Sequence, residues 1–127
     1  MKPEADKPTV FIVDDDEAVR RSLAALIRLF DYPVECYASA AEFLAGYDRD
    51  CRGCLILDVR LVGLSGVELH DQLVRDGAVL PTIFVTGHAP PAITDEARRR
   101  GVVAVFQKPF RPQHLIEAIR QATATPA

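Results

Sequence analysis

Short apolar runs alternate along the chain with longer segments in which apolar residues recur every three or four positions. Four runs, Val10–Val13, Cys54–Leu57, Thr82–Val85 and Val102–Phe106, are too short for helices and nearly uninterrupted. They predict strands buried on both faces, as in a parallel sheet covered by helices. Val34–Tyr37 is shorter and more polar and predicts an edge strand. Between the runs, Val19, Leu23, Leu26, Ile27 and Phe30 share one helical face, with Arg20, Arg21 and Arg28 off it. Ser39–Glu42 and Ser65–Glu68 have the spacing of a capping box, in which a hydroxyl and a carboxylate satisfy the first amides of a helix. A fourth helix is predicted over Ala92–Arg100, stopping at Gly101. A fifth follows Pro112 and carries Leu115, Ile116, Ile119 and Ala122 on one side.

This alternation amounts to five β-α units and predicts an α/β fold, a parallel sheet with helices on both faces and right-handed crossovers. No internal repeat is visible. Residues 9–122 read as one domain, with residues 1–8 and 123–127 as flexible tails.

Composition narrows the function. A chain of 127 residues supports one hydrophobic core. A net charge of −3 gives no general pull toward nucleic acid or anionic lipid. No apolar stretch approaches the roughly 20 residues of a membrane span, and Met1–Thr9 has no signal-peptide core. A cytoplasmic protein with no direct nucleic-acid or membrane partner is expected. Cys51-Arg-Gly-Cys54 has the C-x-x-C form. No second such pair exists to complete a zinc site, and the pair enters a strand rather than opening a helix. Cys54 therefore reads as a small strand residue and Cys51 as a loop residue.

In open α/β sheets, ligands bind beyond the carboxyl ends of the strands. There the sequence places Asp14-Asp15-Asp16, then Asp58, then Thr86-Gly87-His88, then Lys108-Pro109. Acids, a hydroxyl and an ammonium from four segments would meet on one edge. Clustered carboxylates suit a hard divalent cation, and a carboxylate can serve as nucleophile toward a phosphoryl group. Lys108 and Thr86 could then hold phosphoryl oxygens, which is most of what phosphoryl transfer demands.

The stretches Val-Phe-Ile-Val-Asp14-Asp15-Asp16-Glu, Cys-Leu-Ile-Leu-Asp58-Val-Arg-Leu-Val-Gly-Leu-Ser-Gly66, Ile-Phe-Val-Thr86-Gly-His and Val-Phe-Gln-Lys108-Pro109-Phe resemble the receiver domain of response regulators, nearest its FixJ-like transcriptional subgroup. The resemblance implies a flavodoxin-like fold of five strands in the order 2-1-3-4-5. It implies that Asp58 accepts a phosphoryl group from a sensor histidine kinase. It assigns Mg²⁺, or Mn²⁺ in its place, to Asp15, Asp58 and the backbone carbonyl of Arg60, with Asp14 acting through water. It assigns the phosphoryl oxygens to Thr86 and Lys108 and makes the Lys108–Pro109 bond cis. It further implies slow self-dephosphorylation tuned by Arg60 and His88. Dimerisation through the fourth helix, fifth strand and fifth helix is expected on phosphorylation. FixJ-like relatives usually carry a C-terminal DNA-binding domain, so the chain reads either as a single-domain regulator or as the receiver part of a longer one.

Two positions depart from the family pattern. Val62 stands four residues after Asp58 where the subgroup has Pro. Val105 stands where the family often has Phe or Tyr, the aromatic that swings inward as Thr86 moves. Val105 cannot make that swing, and Phe106 should face the other side of the sheet. Ala89-Pro90-Pro91 stiffens the loop after Thr86 and should delay the fourth helix. Arg98-Arg99-Arg100 reads as a solvated helix end that complements the dipole there.

Two other readings compete. A haloacid-dehalogenase-like phosphatase would use Asp14 as nucleophile and Asp16 as general acid, with Thr86 and Lys108 as its second and third motifs. It lacks the acidic pair after Lys108. A phosphorylation-independent docking module would keep the fold and lose the chemistry.

Overall fold

The structure, a computed structural model, describes residues 8–48, 50, 52–61, 65–78, 80–87 and 90–124. Its elements run β1 (Thr9–Val13), α1 (Glu17–Arg28), β2 (Val34–Tyr37), α2 (Ala40–Gly46), β3 (Gly53–Asp58), α3 (Gly66–Arg75), β4 (Thr82–Thr86), α4 (Pro91–Arg98), β5 (Ala104–Gln107) and α5 (Pro112–Thr123). The strands form one parallel sheet in the order β2-β1-β3-β4-β5, the flavodoxin-like arrangement. None of the helices among the described residues is long and apolar enough to cross a membrane.

The period-2 alternation of strand side chains divides the core in two. Val10, Ile12, Cys54, Ile56, Ile83 and Val85 pack on one side against Leu23 and Ile27 of α1 and Leu115 and Ile119 of α5. Phe11, Val13, Leu55, Leu57 and Phe84 pack on the other against Phe43 of α2, Leu69 and Leu73 of α3 and Ala97 of α4. Phe106 joins the first layer and Val105 the second. The two residues thus face opposite ways, as alternation requires.

The structure corrects several details. The run Val102–Phe106 is a strand only over Ala104–Gln107, and its residues are half-buried to exposed rather than buried on both faces. Its place at the end of the strand order is the reason, since only β4 pairs with it. Phe30 lies beyond the last residue of α1 and is 42% exposed, so it leaves the apolar face it was grouped with. Helix α4 begins at Pro91, one residue before the predicted start, and ends at Arg98; Arg99–Gly101 form a turn closed by Gly101 at positive φ. Thr123, assigned to a tail, belongs to α5, where its hydroxyl donates to the Ile119 carbonyl.

Both capping signals start helices, in different ways. At Ser65 the reciprocal box is complete: Ser65 Oγ accepts from the Glu68 amide, and Glu68 returns an acceptor to the Ser65 amide. At Ser39 the hydroxyl caps the Glu42 amide, but the Glu42 carboxylate reaches one residue further back, to Ala38.

Candidate functional site

The strands place their last residues along one edge of the sheet. Asp14 follows β1, Asp58 ends β3, Thr86 ends β4 and Lys108 follows β5. Carboxylate oxygens of Asp14, Asp15 and Asp58 lie within 4.8 Å of one another. Hard oxygen donors at this spacing fit a divalent cation such as Mg²⁺. The backbone N–H of Lys108 donates to the Thr86 carbonyl at 2.8 Å, which ties the ends of β4 and β5 together. The Lys108–Pro109 bond is cis.

The consecutive aspartates do three different things. Asp14 is buried, its Oδ1 accepting from the Asp16 amide at 2.9 Å. Burial pushes its carboxyl above the ordinary range, the Asp16 amide and Lys108 oppose this, and Asp15 and Asp16 add to it. Asp15 is exposed and turned into the cluster. Asp16 is the N-cap of α1, accepting from Ala18 and Val19. A carboxylate already engaged by two amides is poorly placed as the general acid of a phosphatase.

Asp58 is half-buried, and its carboxyl is pushed up to about 6. Burial is the first cause and the charges of Asp14 and Asp15 add to it, while the Arg60 amide and Lys108 pull the other way. The Arg60 N–H donates to Asp58 Oδ1 at 2.9 Å. Thr86 is buried, and its Oγ1 has no hydrogen-bond partner among the described residues. A buried hydroxyl left unpaired costs about 1–3 kcal/mol, so an acceptor brought to Thr86 Oγ1 would be favoured.

Residues 10–120 match the family described as the response regulator receiver domain. The chain belongs to this family. Response regulator protein TodT of Pseudomonas putida is 42% identical over 113 residues, 89% of this chain and 50% of TodT. Transcriptional regulatory protein FixJ of Azorhizobium caulinodans is 42% identical over 112 residues, 87% of this chain and 53% of FixJ. The crystal structure of FixJ-N has a TM-score of 0.85 and 38% identity to it, covering 100% of this chain and 98% of that one. The chain spans about half the length of the curated relatives it matches.

In this receiver domain the sequence-selected residues Asp14, Asp15 and Asp58 converge, with Lys108 close enough for its charge to act on Asp14 and Asp58. The readings at Val62, His88, Ala89 and Cys51 fall outside the described residues. Arg100 is not a solvated helix end. Its Nε and Nη2 donate to both carboxylate oxygens of Asp71 on α3, at 3.1 and 3.0 Å, and this bond holds the Asp71 carboxyl below its ordinary range. Arg98 pairs within its own helix, with Asp95 at 3.4 Å. Sequence could not find the Arg100–Asp71 pair, because its partners lie 29 residues apart.

Cys54 is fully buried in β3, and burial pushes its thiol up to about 12. Cys36 is exposed on β2. Iodoacetamide at pH 8 is therefore expected to alkylate Cys36 and spare Cys54 in the folded protein. Peptide mapping checks this, and rapid alkylation of Cys54 under native conditions would contradict the burial.

Proposed function

We propose that this receiver domain, with residues 9–122 as its extent, accepts a phosphoryl group on Asp58. The donor is a phosphohistidine on a sensor histidine kinase, the transfer takes place in the cytoplasm, and the acceptance switches a transcriptional output. The observation that carries the reading is the cluster of Asp14, Asp15 and Asp58 carboxylates at the carboxyl edge of the sheet, where β4 also ends at Thr86, whose buried hydroxyl has no partner among the described residues. In the step itself, an Asp58 carboxylate oxygen forms a bond to phosphorus. The donor's P–N bond breaks, and its imidazole leaves with the electron pair.

Asp14, Asp15, Asp58 and the Arg60 carbonyl would hold Mg²⁺ or Mn²⁺, Asp14 through water. When bound, the cation supplies charge neutralisation for the acids and the incoming phosphoryl oxygens. Thr86 would donate to one phosphoryl oxygen and Lys108 would pair with another. A groove of about 400 Å³ runs between Ala18, Val19, Ser22 and Leu23 of α1 and Lys108–Phe110, with Lys108 in its lining. Arg60 and His88 would tune the lifetime of the acyl phosphate. Support for a transcriptional output comes from the likeness to the transcriptional regulatory protein FixJ. A DNA-binding partner domain and phosphorylation-dependent pairing through α4, β5 and α5 belong to the same reading.

Val105 changes how the signal would travel. It packs in the second core layer and is too small to exchange between buried and exposed positions as a ring does. Thr86 and the α4 segment would therefore carry the switch without an aromatic partner.

Incubation with acetyl phosphate and Mg²⁺, followed by intact mass measurement, tests the proposal. The expected result is one phosphoryl adduct that is lost in mild base and does not form with excess chelator. No adduct with donor and metal at saturation would leave the docking-module reading in its place.

A further inference from the structure

Arg20 lies on α1 outside its apolar face and is half-buried. Its Nη1 donates a 2.7 Å hydrogen bond to the backbone carbonyl of Asp14. Asp14 is also held by two other bonds. Its N–H donates to the Tyr37 carbonyl at 3.2 Å, and its Oδ1 accepts from the Asp16 amide. Asp16 in turn is fixed as the cap of α1.

The Asp14 carbonyl shares one rigid peptide plane with the N–H of Asp15. Anchoring that carbonyl to α1 fixes the rotation of the plane. It thereby fixes where the N–H and Cα of Asp15 sit, the point from which its side chain departs. Asp15 is the exposed member of the cluster, so packing around its own side chain does little to hold it. Among the described residues the guanidinium engages the carbonyl rather than a carboxylate, and it is not among the groups that shift the Asp14 carboxyl. Neighbouring Arg21 differs: it pairs with Glu17 at 3.2 Å, with both ends in solvent.

We infer that Arg20 is a positioning residue for the acidic pocket, orienting the Asp14–Asp15 peptide so that the Asp15 carboxylate meets those of Asp14 and Asp58 at cation-binding distance. This rests on the proposed reading of the pocket as a cation site. It deepens that reading by assigning a residue that touches neither cation nor phosphoryl group.

Charge and geometry predict opposite signs, which makes the inference testable. A positive charge near the pocket disfavours a cation, so deleting it by charge alone would tighten Mg²⁺ binding. Losing the anchor on the carbonyl would weaken it. Mg²⁺ titrations of the whole chain followed by amide NMR would compare wild type, R20M, R20K and R21M. R20M is expected to weaken Mg²⁺ binding about tenfold, the loss of roughly one charge-assisted hydrogen bond. R20K, which keeps a donor, is expected to recover part of this. R21M is expected to stay within about twofold of wild type, because its ion pair is exposed. In metal-free R20M the amides of Asp15 and Asp16 are expected to shift while those of β3 and β4 stay in place. Should R20M fail to fold, R20Q carries the same comparison, being polar but too short to reach the carbonyl. Mg²⁺ binding by R20M as tight as wild type or tighter overturns the inference. A wild-type chain that gives no Mg²⁺ response overturns the proposed cation site, and the role of Arg20 with it.

Discussion

Asp58→Asn is expected to abolish phosphoryl acceptance, with no base-labile adduct after exposure to donor and Mg²⁺. Asparagine keeps an acceptor for the Arg60 amide at 2.9 Å, so the local turn survives while the nucleophilic oxygen is lost. The same variant is expected to be more stable than wild type in metal-free buffer at neutral pH. The Asp58 carboxyl is raised to about 6 in the folded chain from an ordinary 3.8. The folded state therefore holds the proton more tightly than the unfolded one. The associated stability is fully present below the unfolded value and is lost as pH rises through about 6. Above that pH the wild type carries a charged, partly desolvated Asp58 among like charges. The variant does not, and it should gain on the order of 1 kcal/mol, discounted for the solvent that reaches the site. The gain should vanish as pH falls toward 4, and added Mg²⁺ should reverse the order. Urea melts with and without Mg²⁺ at several pH values check this. An equal stability at pH 8 without metal would contradict the electrostatic account.

Gly66→Ala is expected to be the most damaging small substitution near the site. A Cβ at residue 66 would overlap the carbonyl oxygen of Asp58 and lie 3.0 Å from the Cα of Val59. Both are backbone atoms, which cannot swing aside as a side chain can. The Gly66 amide also donates to the Val59 carbonyl at 2.9 Å, so α3 begins pressed against the end of β3. An added methyl must push one of these elements away, at a cost of about 3 kcal/mol. The displaced atoms belong to the residue proposed as phosphoacceptor, so adduct formation should slow as well. Val74→Ala, on the same helix at a position 60% exposed, serves as control and should change stability by less than about 0.5 kcal/mol. Equal melting of G66A and wild type would contradict the close approach of α3 to β3.

The sequence was most legible where one physical rule acts alone. Apolar runs located β1, β3 and β4, because a strand buried on both faces leaves little room for polar residues. The same rule misjudged β5, since an apolar run does not say whether a neighbour will cover it. The capping pattern found the start of α3, where hydroxyl and carboxylate act within four residues. Three consecutive aspartates were legible as a cluster, but their division of labour was not. Which one is buried, which enters the pocket and which caps α1 depends on where β1 ends and α1 begins, and that boundary moves by a residue or two in any reading of pattern. Arg20 and Arg100 were missed for a related reason. A long side chain off the apolar face looks solvated in sequence, and only the fold brings the Asp14 carbonyl or Asp71 within its reach.

The central claim is that Asp58, among several adjacent acids, takes the phosphoryl group. Borohydride reduction of the phosphorylated chain converts an acyl phosphate at aspartate to homoserine, and peptide mass spectrometry then locates it. The account predicts homoserine at position 58 alone, with Asp14, Asp15 and Asp16 intact. Homoserine at position 14 would contradict it and point to the phosphatase chemistry instead.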